Sequence, residues 1–382
     1  MKTITSRLSF WVALASLWVL PRIAEAQPFP VGNREVSLFD AARNREVTLL
    51  LYYPAQSNGT AVPLASGSFP LLTFGHGFLI PATSYADMAG LLAERGVVVA
   101  LPSTEGGFAP NHDAFGKDIA FINTWYRSGQ DDFFTCNGFS ALGGHSMGGG
   151  ASLLAASQTE ANAYVGLAPA LTNPSPVPTA PALGLPALVV SGSVDNVTPP
   201  DVHHQPIWNA LGSDCKVFAS ILGGNHCYFI PSSVCDLGEI GSGVTLSRAE
   251  QQQTTDDLLW PFLRYWFGGS LSDWSAYLQA ITLDNRVSIQ ETCSEVLKAF
   301  TPERSIPVIF PQPASEWLTV QGVDDLIERA QLFDLQGREV AIEVALFEQG
   351  IRIKPGASIA GLYVLQFCSG AQVCRYRVMF ER

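Results

Sequence analysis

The sequence predicts an α/β fold: an open, mostly parallel sheet with helices on both faces, followed by a small all-β sandwich. Three observations predict it. Short apolar runs alternate with helical patterns, and one of them, Val97 to Leu101, is the nearly unbroken Val-rich stretch of a buried parallel strand. An apolar run ending in Gly144-His145-Ser146-Met147-Gly148 leads directly into small residues and leucines that read as a helix. Beyond residue 306 the pattern changes to short strands separated by turns.

Taken in order, Val36 to Tyr53 alternates and breaks at Phe39-Asp40-Ala41, which predicts an N-terminal hairpin. Phe69 to Phe74 is a strand that runs into Gly75-His76-Gly77-Phe78. Ser84 opens a helix through Arg95 that Gly96 stops, with Met88, Leu91 and Leu92 on one side. A second helical pattern starts near Phe115 and reaches Trp125. After the Ser146 turn and its helix come strands at Ala163 to Leu167, Ala187 to Val190 and Val217 to Leu222. Ser247-Arg248-Ala249-Glu250 is a capping box for a helix whose aromatic face, Leu258 to Phe267, is interrupted by Pro261. Ser272 is expected to cap the next. Residues 27–283 form the first domain, 284–305 a linker and 306–382 the sandwich, with strands near Ile306, Leu318, Ala330, Glu339, Gly350 and Leu362.

The N-terminus carries Lys2 and Arg7, an apolar run from Leu8 to Leu20, and Ala24-Glu25-Ala26. These are the three regions of a secretory signal peptide, expected to end at residue 26. No other segment is long and apolar enough for a transmembrane anchor in the mature chain. The net charge of −12 argues against a nucleic-acid partner. Seven cysteines in an exported chain predict disulfides with one thiol left over. Cys227 with Cys235, flanking a Pro-Ser loop, and Cys368 with Cys374, flanking a hairpin turn, are the candidate pairs. Cys136, Cys215 and Cys293 are not assignable from spacing. No cluster has metal-ligand spacing, and no cofactor or metal is expected.

The glycines around Ser146 fit a strained strand-to-helix turn in which Cβ atoms at 144 or 148 would collide with neighbouring backbone. Such a turn lifts a serine hydroxyl to the sheet's carboxyl edge, at the positive end of a helix. A serine needs a histidine to take its proton and an acid to fix that histidine's tautomer. Asp195 follows the Ala187 strand, and His226 ends the next strand's Gly223-Gly224-Asn225-His226 loop. The order Ser146, Asp195, His226 is that of open-sheet hydrolases. His203 and His204 compete for the base's role but precede a helix on the acid's own loop. Backbone N–H groups of Met147 and Phe78 are the candidate oxyanion donors, with His76 ordering the Phe78 turn. Phe78, Met147, His145 and Tyr228 are the expected cleft walls. Ala168 to Pro186 is too short and irregular for a helical cap, so the cleft is expected to be open.

On these residues the stretch from about Pro28 to Leu283 resembles the α/β-hydrolase superfamily. Gly144-His145-Ser146-Met147-Gly148-Gly149-Gly150 and Asp195-Asn196-Val197-Thr198-Pro199 are similar to the corresponding runs of bacterial cutinases and polyester (PET) hydrolases. Asp40-Ala41-Ala42-Arg43-Asn44-Arg45 with Tyr53-Pro54 resembles dienelactone hydrolases, chlorophyllases and platelet-activating-factor acetylhydrolases, and His76-Gly77-Phe78-Leu79 resembles the chlorophyllase oxyanion turn. Where polyester hydrolases carry a tryptophan platform, Ala168 to Asn173 offers no aromatic ring. The resemblance implies a secreted serine ester hydrolase acting on an ester or polyester substrate. Its alternatives are a lipid or small-ester hydrolase without polymer activity and a catalytically silent, surface-displayed binding protein.

Phe310-Pro311-Gln312-Pro313-Ala314, Leu332 to Glu339, Gly361-Leu362-Tyr363-Val364 and the basic Arg375 to Arg377 resemble a type IX secretion sorting domain. That resemblance implies the outer-membrane type IX machinery as a partner, with export through the periplasm to the cell surface or the medium.

Overall fold

The computed structural model describes residues 28–293 and, beyond them, 308–311, 314–321, 327–334, 338–347, 350–356, 359–369 and 372–381. The expected signal peptide and most of the expected linker lie outside the described residues. Two compact units divide at Glu291.

The first unit is built on one ten-stranded sheet. Its entry hairpin pairs β1 (Val31–Asp40) with β2 (Arg45–Pro54) in unbroken antiparallel register. Asp40 closes the turn by accepting the N–H groups of Ala42 and Arg43, the local bond that suits aspartate to turns. A two-residue β3 (Gly59–Thr60) lies at the edge. The parallel core consists of β4 (Leu71–Gly75), β5 (Val98–Pro102), β6 (Ser140–His145), β7 (Ala163–Leu167), β8 (Ala187–Gly192) and β9 (Lys216–Ile221). From β4 to β8 every residue is buried, as continuous apolar runs between two helical layers must be. The helices are α1 (Ala86–Glu94), α2 (His112–Arg127), α3 (Met147–Ala156), α4 (His204–Ala210), α5 (Arg248–Trp266) and α6 (Leu271–Leu283).

The sheet order is β10-β9-β8-β7-β6-β4-β5-β2-β1-β3. The chain steps from β4 to β5 on one side and then returns to β6 on the other side of β4. Such a reversal opens a crevice at the carboxyl ends of the two strands, where open α/β sheets hold their ligands. The loop after β4 carries Phe78, and the turn after β6 carries Ser146.

Four details depart from the sequence expectations. The tenth strand, β10 (Val287–Glu291), pairs antiparallel with β9 inside the expected linker; its alternation buries Val287 and covers an otherwise open sheet edge. Ser270, not Ser272, caps α6, because its hydroxyl and the Asp273 carboxylate satisfy each other's backbone N–H. Ser84 lies in a short 3-10 turn (Ala82–Tyr85) ahead of α1 and makes no side-chain cap. Helix α5 opens on the expected Ser247/Glu250 capping box, but Pro261 does not interrupt it.

The second unit has two antiparallel four-stranded sheets. One runs β11 (Val308–Phe310), β12 (Leu318–Gln321), β16 (Gly350–Pro355), β15 (Ile342–Phe347); the other runs β14 (Glu339–Val340), β13 (Ile327–Phe333), β17 (Gly361–Ser369), β18 (Gln372–Phe380). Their shared core includes Leu318, Val320, Leu332, Ile353, Leu365 and Val378, the inward half of each strand's period-2 pattern.

Cys227 and Cys235 form a disulfide, and Cys215 and Cys293 are each in disulfide form. Cys136 is a buried free thiol. Cys368 and Cys374 lie on the facing strands β17 and β18, but their side chains fall outside the described set. No helix among the described residues is long and apolar enough to cross a membrane.

Candidate active site

Ser146 occupies the residue between β6 and α3 with φ 55° and ψ −120°. That is a region L-residues enter only under constraint, and here the constraint is close packing. A Cβ at Gly144 would lie 2.2 Å from the Gly148 backbone, and one at Gly148 would lie 2.1 Å from the Gly75 carbonyl oxygen. The Ser146 carbonyl accepts the N–H groups of Gly149 and Ala170, while its own N–H donates to Leu167. The serine is thereby fixed between the ends of β4 and β7, at the start of α3.

Asp195 and His226 sit on the neighbouring loops beyond β8 and β9, and His226 Nδ1 lies 2.8 Å from Asp195 Oδ2. Both are buried. A carboxylate only accepts, so Nδ1 carries the proton and Nε2 is left as the basic nitrogen. Asp195 is held by four donors. Val197 N–H at 2.9 Å and Thr198 N–H at 2.6 Å reach Oδ1; Thr198 Oγ1 at 3.0 Å joins His226 on Oδ2. Among the described residues Ser146 Oγ makes no hydrogen bond to His226. In ligand-free sites this bond is often long and tightens when substrate binds.

The loops are joined instead by His145. Its Nε2 lies 3.1 Å from the His226 carbonyl, and its Nδ1 lies 2.8 Å from Tyr85 Oη, which accepts the Gly77 N–H at 3.0 Å. Nε2–H therefore donates, and Nδ1 accepts from the tyrosine. Burial depresses the His145 pKa well below its ordinary value, with the adjacent His226 adding to the effect, so the ring is neutral. His145 is fully buried, so the expectation that it lines the cleft is corrected: the residue before the serine turns inward and ties the histidine loop to the Gly77 turn. The Met147 side chain is also buried, against Phe115, Ile119 and Leu142, and is likewise withdrawn as a cleft wall.

Phe78 is 47% exposed at the head of the Gly77–Ile80 turn, in which Ile80 N–H returns to Gly77 O. Among the described residues neither Phe78 N–H nor Met147 N–H has an acceptor, as an oxyanion site requires. The ring nitrogens of His76 lie 2.8 Å from Gly77 O and 2.9 Å from Thr104 O, joining this turn to the loop after β5. A cavity of ≈ 690 Å³ opens beside the turn, walled by Leu79, Ile80 and Thr83 and across from them by Val36, Thr48 and Ser103. Ser146 and His226 do not line it. Tyr228 is half-buried and stacks under the Arg248 guanidinium at 4.3 Å.

Three further residues surround the candidate triad; Thr198 and Glu239 carried no functional assignment from sequence, and His204 stood only as a rival base. Thr198 bonds Asp195 and His226; His204 lies behind Thr198; and Glu239 accepts the backbone N–H groups of both His226 and Asn196. Thr198 stood in plain view inside the acid-loop motif. Nothing in the sequence ties Glu239 to His226.

The fold is that of an α/β-hydrolase. It is shared with the solved structure of a ferulic acid esterase from Streptomyces cinnamoneus, at a TM-score of 0.51 and 16% identity over 64% of this chain and 92% of that one. The family model for PETase, described as PET hydrolase-like, matches residues 117–242, a span that holds Ser146, Asp195 and His226. No curated protein matches the chain. The family match supports a hydrolase, and the buried Ser146, Asp195 and His226 are compatible with a triad.

Proposed function

We propose that this chain is a secreted serine carboxylic ester hydrolase of the cutinase and polyester-hydrolase type. The observation that carries the reading is the 2.8 Å contact between His226 Nδ1 and Asp195 Oδ2, on loops adjacent to a serine whose backbone is held at φ 55°. In the proposed reaction His226 Nε2 accepts the Ser146 proton as Oγ attacks the ester carbonyl. Phe78 and Met147 N–H groups receive the oxyanion, and the alcohol leaves with the proton from His226. Water then attacks the acyl-enzyme, with His226 again as base. Asp195 holds the Nδ1–H tautomer and stabilises the imidazolium.

Export rests on the signal-peptide pattern of residues 1–26 and on the disulfides. The C-terminal sandwich is proposed as a sorting domain for type IX secretion. A preference for small or lipid-like esters is the second reading. It is favoured by the run Ala168 to Asn173, which has no aromatic ring beside Ser146, and by the withdrawal of His145 and Met147 from the cleft.

Turnover of p-nitrophenyl butyrate by the full chain tests the first claim. Ser146→Ala and His226→Ala should each lower kcat by at least about 10⁴-fold; near-normal turnover by Ser146→Ala would sink it. Incubation with PET film and with short acyl esters, followed by product analysis, separates the two substrate readings.

A further inference from the structure

We infer that His204 is a positioning residue for ester hydrolysis: a second, neutral histidine that fixes the Thr198 hydroxyl on Asp195 and so sets the geometry of the Asp195–His226 pair. The inference rests on the function proposed above and adds a residue to its machinery. It begins with a proton count. Thr198 Oγ1 has one proton and three close neighbours: His226 Nδ1 at 2.8 Å, His204 Nε2 at 2.9 Å and Asp195 Oδ2 at 3.0 Å. Of these only the carboxylate can do nothing but accept. If the hydroxyl gave its proton to His204, an oxygen lone pair would face Asp195 Oδ2 at hydrogen-bond distance, inside a site with no room for water to intervene.

The arrangement that satisfies every group runs one way. Ser191 Oγ, at the end of β8, lies 2.8 Å from His204 Nδ1 and donates to it. His204 Nε2–H donates to Thr198 Oγ1, and Thr198 Oγ1–H donates to Asp195 Oδ2. His226 Nδ1–H meets the same carboxylate oxygen from the other side. His204 itself stands 3.6 Å from Asp195 Oδ2, too far to bond it directly, so it acts through the threonine.

This order requires a neutral His204, and the surroundings enforce it. The ring is fully buried at the start of α4, and burial pushes its pKa down to about 3. Asp195 pulls the other way, while His226 and His203 reinforce the depression. His226 in turn faces Asp195, His145 across a ring distance of 4.6 Å, and Glu239 through its backbone N–H. A neutral His204 adds a directed donor without adding a charge that would compete with His226 for the carboxylate. Without it the Thr198 hydroxyl can turn to the Ala168 carbonyl, 3.4 Å away, and Asp195 loses one of its four donors.

The test is a double-mutant cycle on the full chain with p-nitrophenyl butyrate, following kcat and KM from about pH 5 to 9. His204→Phe should lower kcat by about 10-fold, leave KM within about twofold, and move the acid limb of kcat/KM up by about half a pH unit. The limb rises because a carboxylate with fewer donors holds the His226 proton more tightly. In a Thr198→Val background, adding His204→Phe should change neither kcat nor the limb, and His204→Gln, which keeps a donor, should recover most of the single-mutant loss. Additive losses, or an acid limb unmoved in His204→Phe, would overturn the inference. Should His204→Phe fail to fold, Thr198→Val must by itself show the kcat loss and the shifted limb, and a wild-type profile there overturns the inference equally. A Ser146→Ala enzyme that still turns over the ester would instead defeat the underlying function.

Discussion

The Glu239 carboxylate accepts the backbone N–H of His226 at 2.5 Å. Its second oxygen accepts the N–H of Asn196 at 3.2 Å, so one buried side chain joins the loop of the proposed base to the loop of its acid. The segment that carries it is anchored at one end by the Cys227–Cys235 disulfide and by Arg248, which forks onto the Asp236 carboxylate. Leu237 and Ile240, on either side of Glu239, stand exposed. Burial raises the Glu239 pKa, and the two backbone donors oppose that rise.

Glu239→Ala would leave two backbone donors without an acceptor in the interior. A loss of about 2–4 kcal/mol in stability is expected, with a lower kcat because His226 and Asp195 are no longer held in register. Glu239→Gln keeps one carbonyl acceptor but presents N–H₂ to the other donor, and should lie between the two. Urea unfolding and ester turnover on the three proteins measure the order; equal stability for wild type and Glu239→Ala would refute the bridging role.

Tyr85 is the second such joint. Its hydroxyl accepts the Gly77 N–H and meets His145 Nδ1, connecting the turn before Phe78 to the residue before Ser146. Tyr85→Phe removes one oxygen and strands both partners, since the ring is buried and no water replaces it. We predict a stability loss of about 1–3 kcal/mol and a kcat loss larger than any change in KM, because the proposed oxyanion donor rides on this turn. Thermal unfolding together with full kinetics on a soluble ester provides the check; a change in KM alone would show that the joint serves binding only.

Much of this site is legible in the sequence because its chemistry depends on residue types in local context. Gly144 to Gly148 announces a strained turn, and Asp195 and His226 each follow an apolar strand. What is not legible arises from contacts between segments far apart in the chain. His145 looks like a cleft residue until Tyr85, 60 positions upstream, and the His226 carbonyl claim both its nitrogens. His204 stood only as a rival base, because sequence cannot reveal that Ser191 and Thr198 occupy its two nitrogens. Strand β10 was hidden for a related reason: five residues of weak alternation become a strand only when β9 offers an open edge. Ser270 prevailed over Ser272 as a cap on a local rule, the reciprocal acid at the third helical position.

Gly148 tests the elbow itself. Its missing side chain lets α3 approach β4 so closely that an added Cβ would fall 2.1 Å from the Gly75 oxygen and 2.7 Å from the His76 oxygen. Both contacts are backbone, which cannot rotate away. Gly148→Ala should therefore push α3 off the sheet, with a loss of at least about 3 kcal/mol and kcat reduced out of proportion to stability. Gly90, whose Cβ would meet nothing within 4 Å, is the control: Gly90→Ala on α1 should be neutral or mildly stabilising. Circular dichroism melts and turnover of the two variants decide the matter, and a fully active Gly148→Ala protein would contradict the close packing.

Acid should destabilise this protein through its buried histidines. His204, pushed down to about 3, and His145, held well below its ordinary value, both remain neutral in the folded state. In the unfolded chain each titrates near 6.5. Between those limits the unfolded state binds more protons, so the stability slope is positive with pH. The full contribution is present above about pH 6.5 and is lost progressively as pH falls toward the folded-state value. At about pH 4.5 His204 alone accounts for roughly 2–3 kcal/mol of lost stability. Glu239, whose pKa burial raises, acts in the opposite sense in the acidic range. His204→Gln does not titrate, so its urea midpoint should fall less steeply than that of wild type between about pH 7 and 4.5. Parallel slopes for the two proteins would mean that His204 takes up a proton while folded, against its burial.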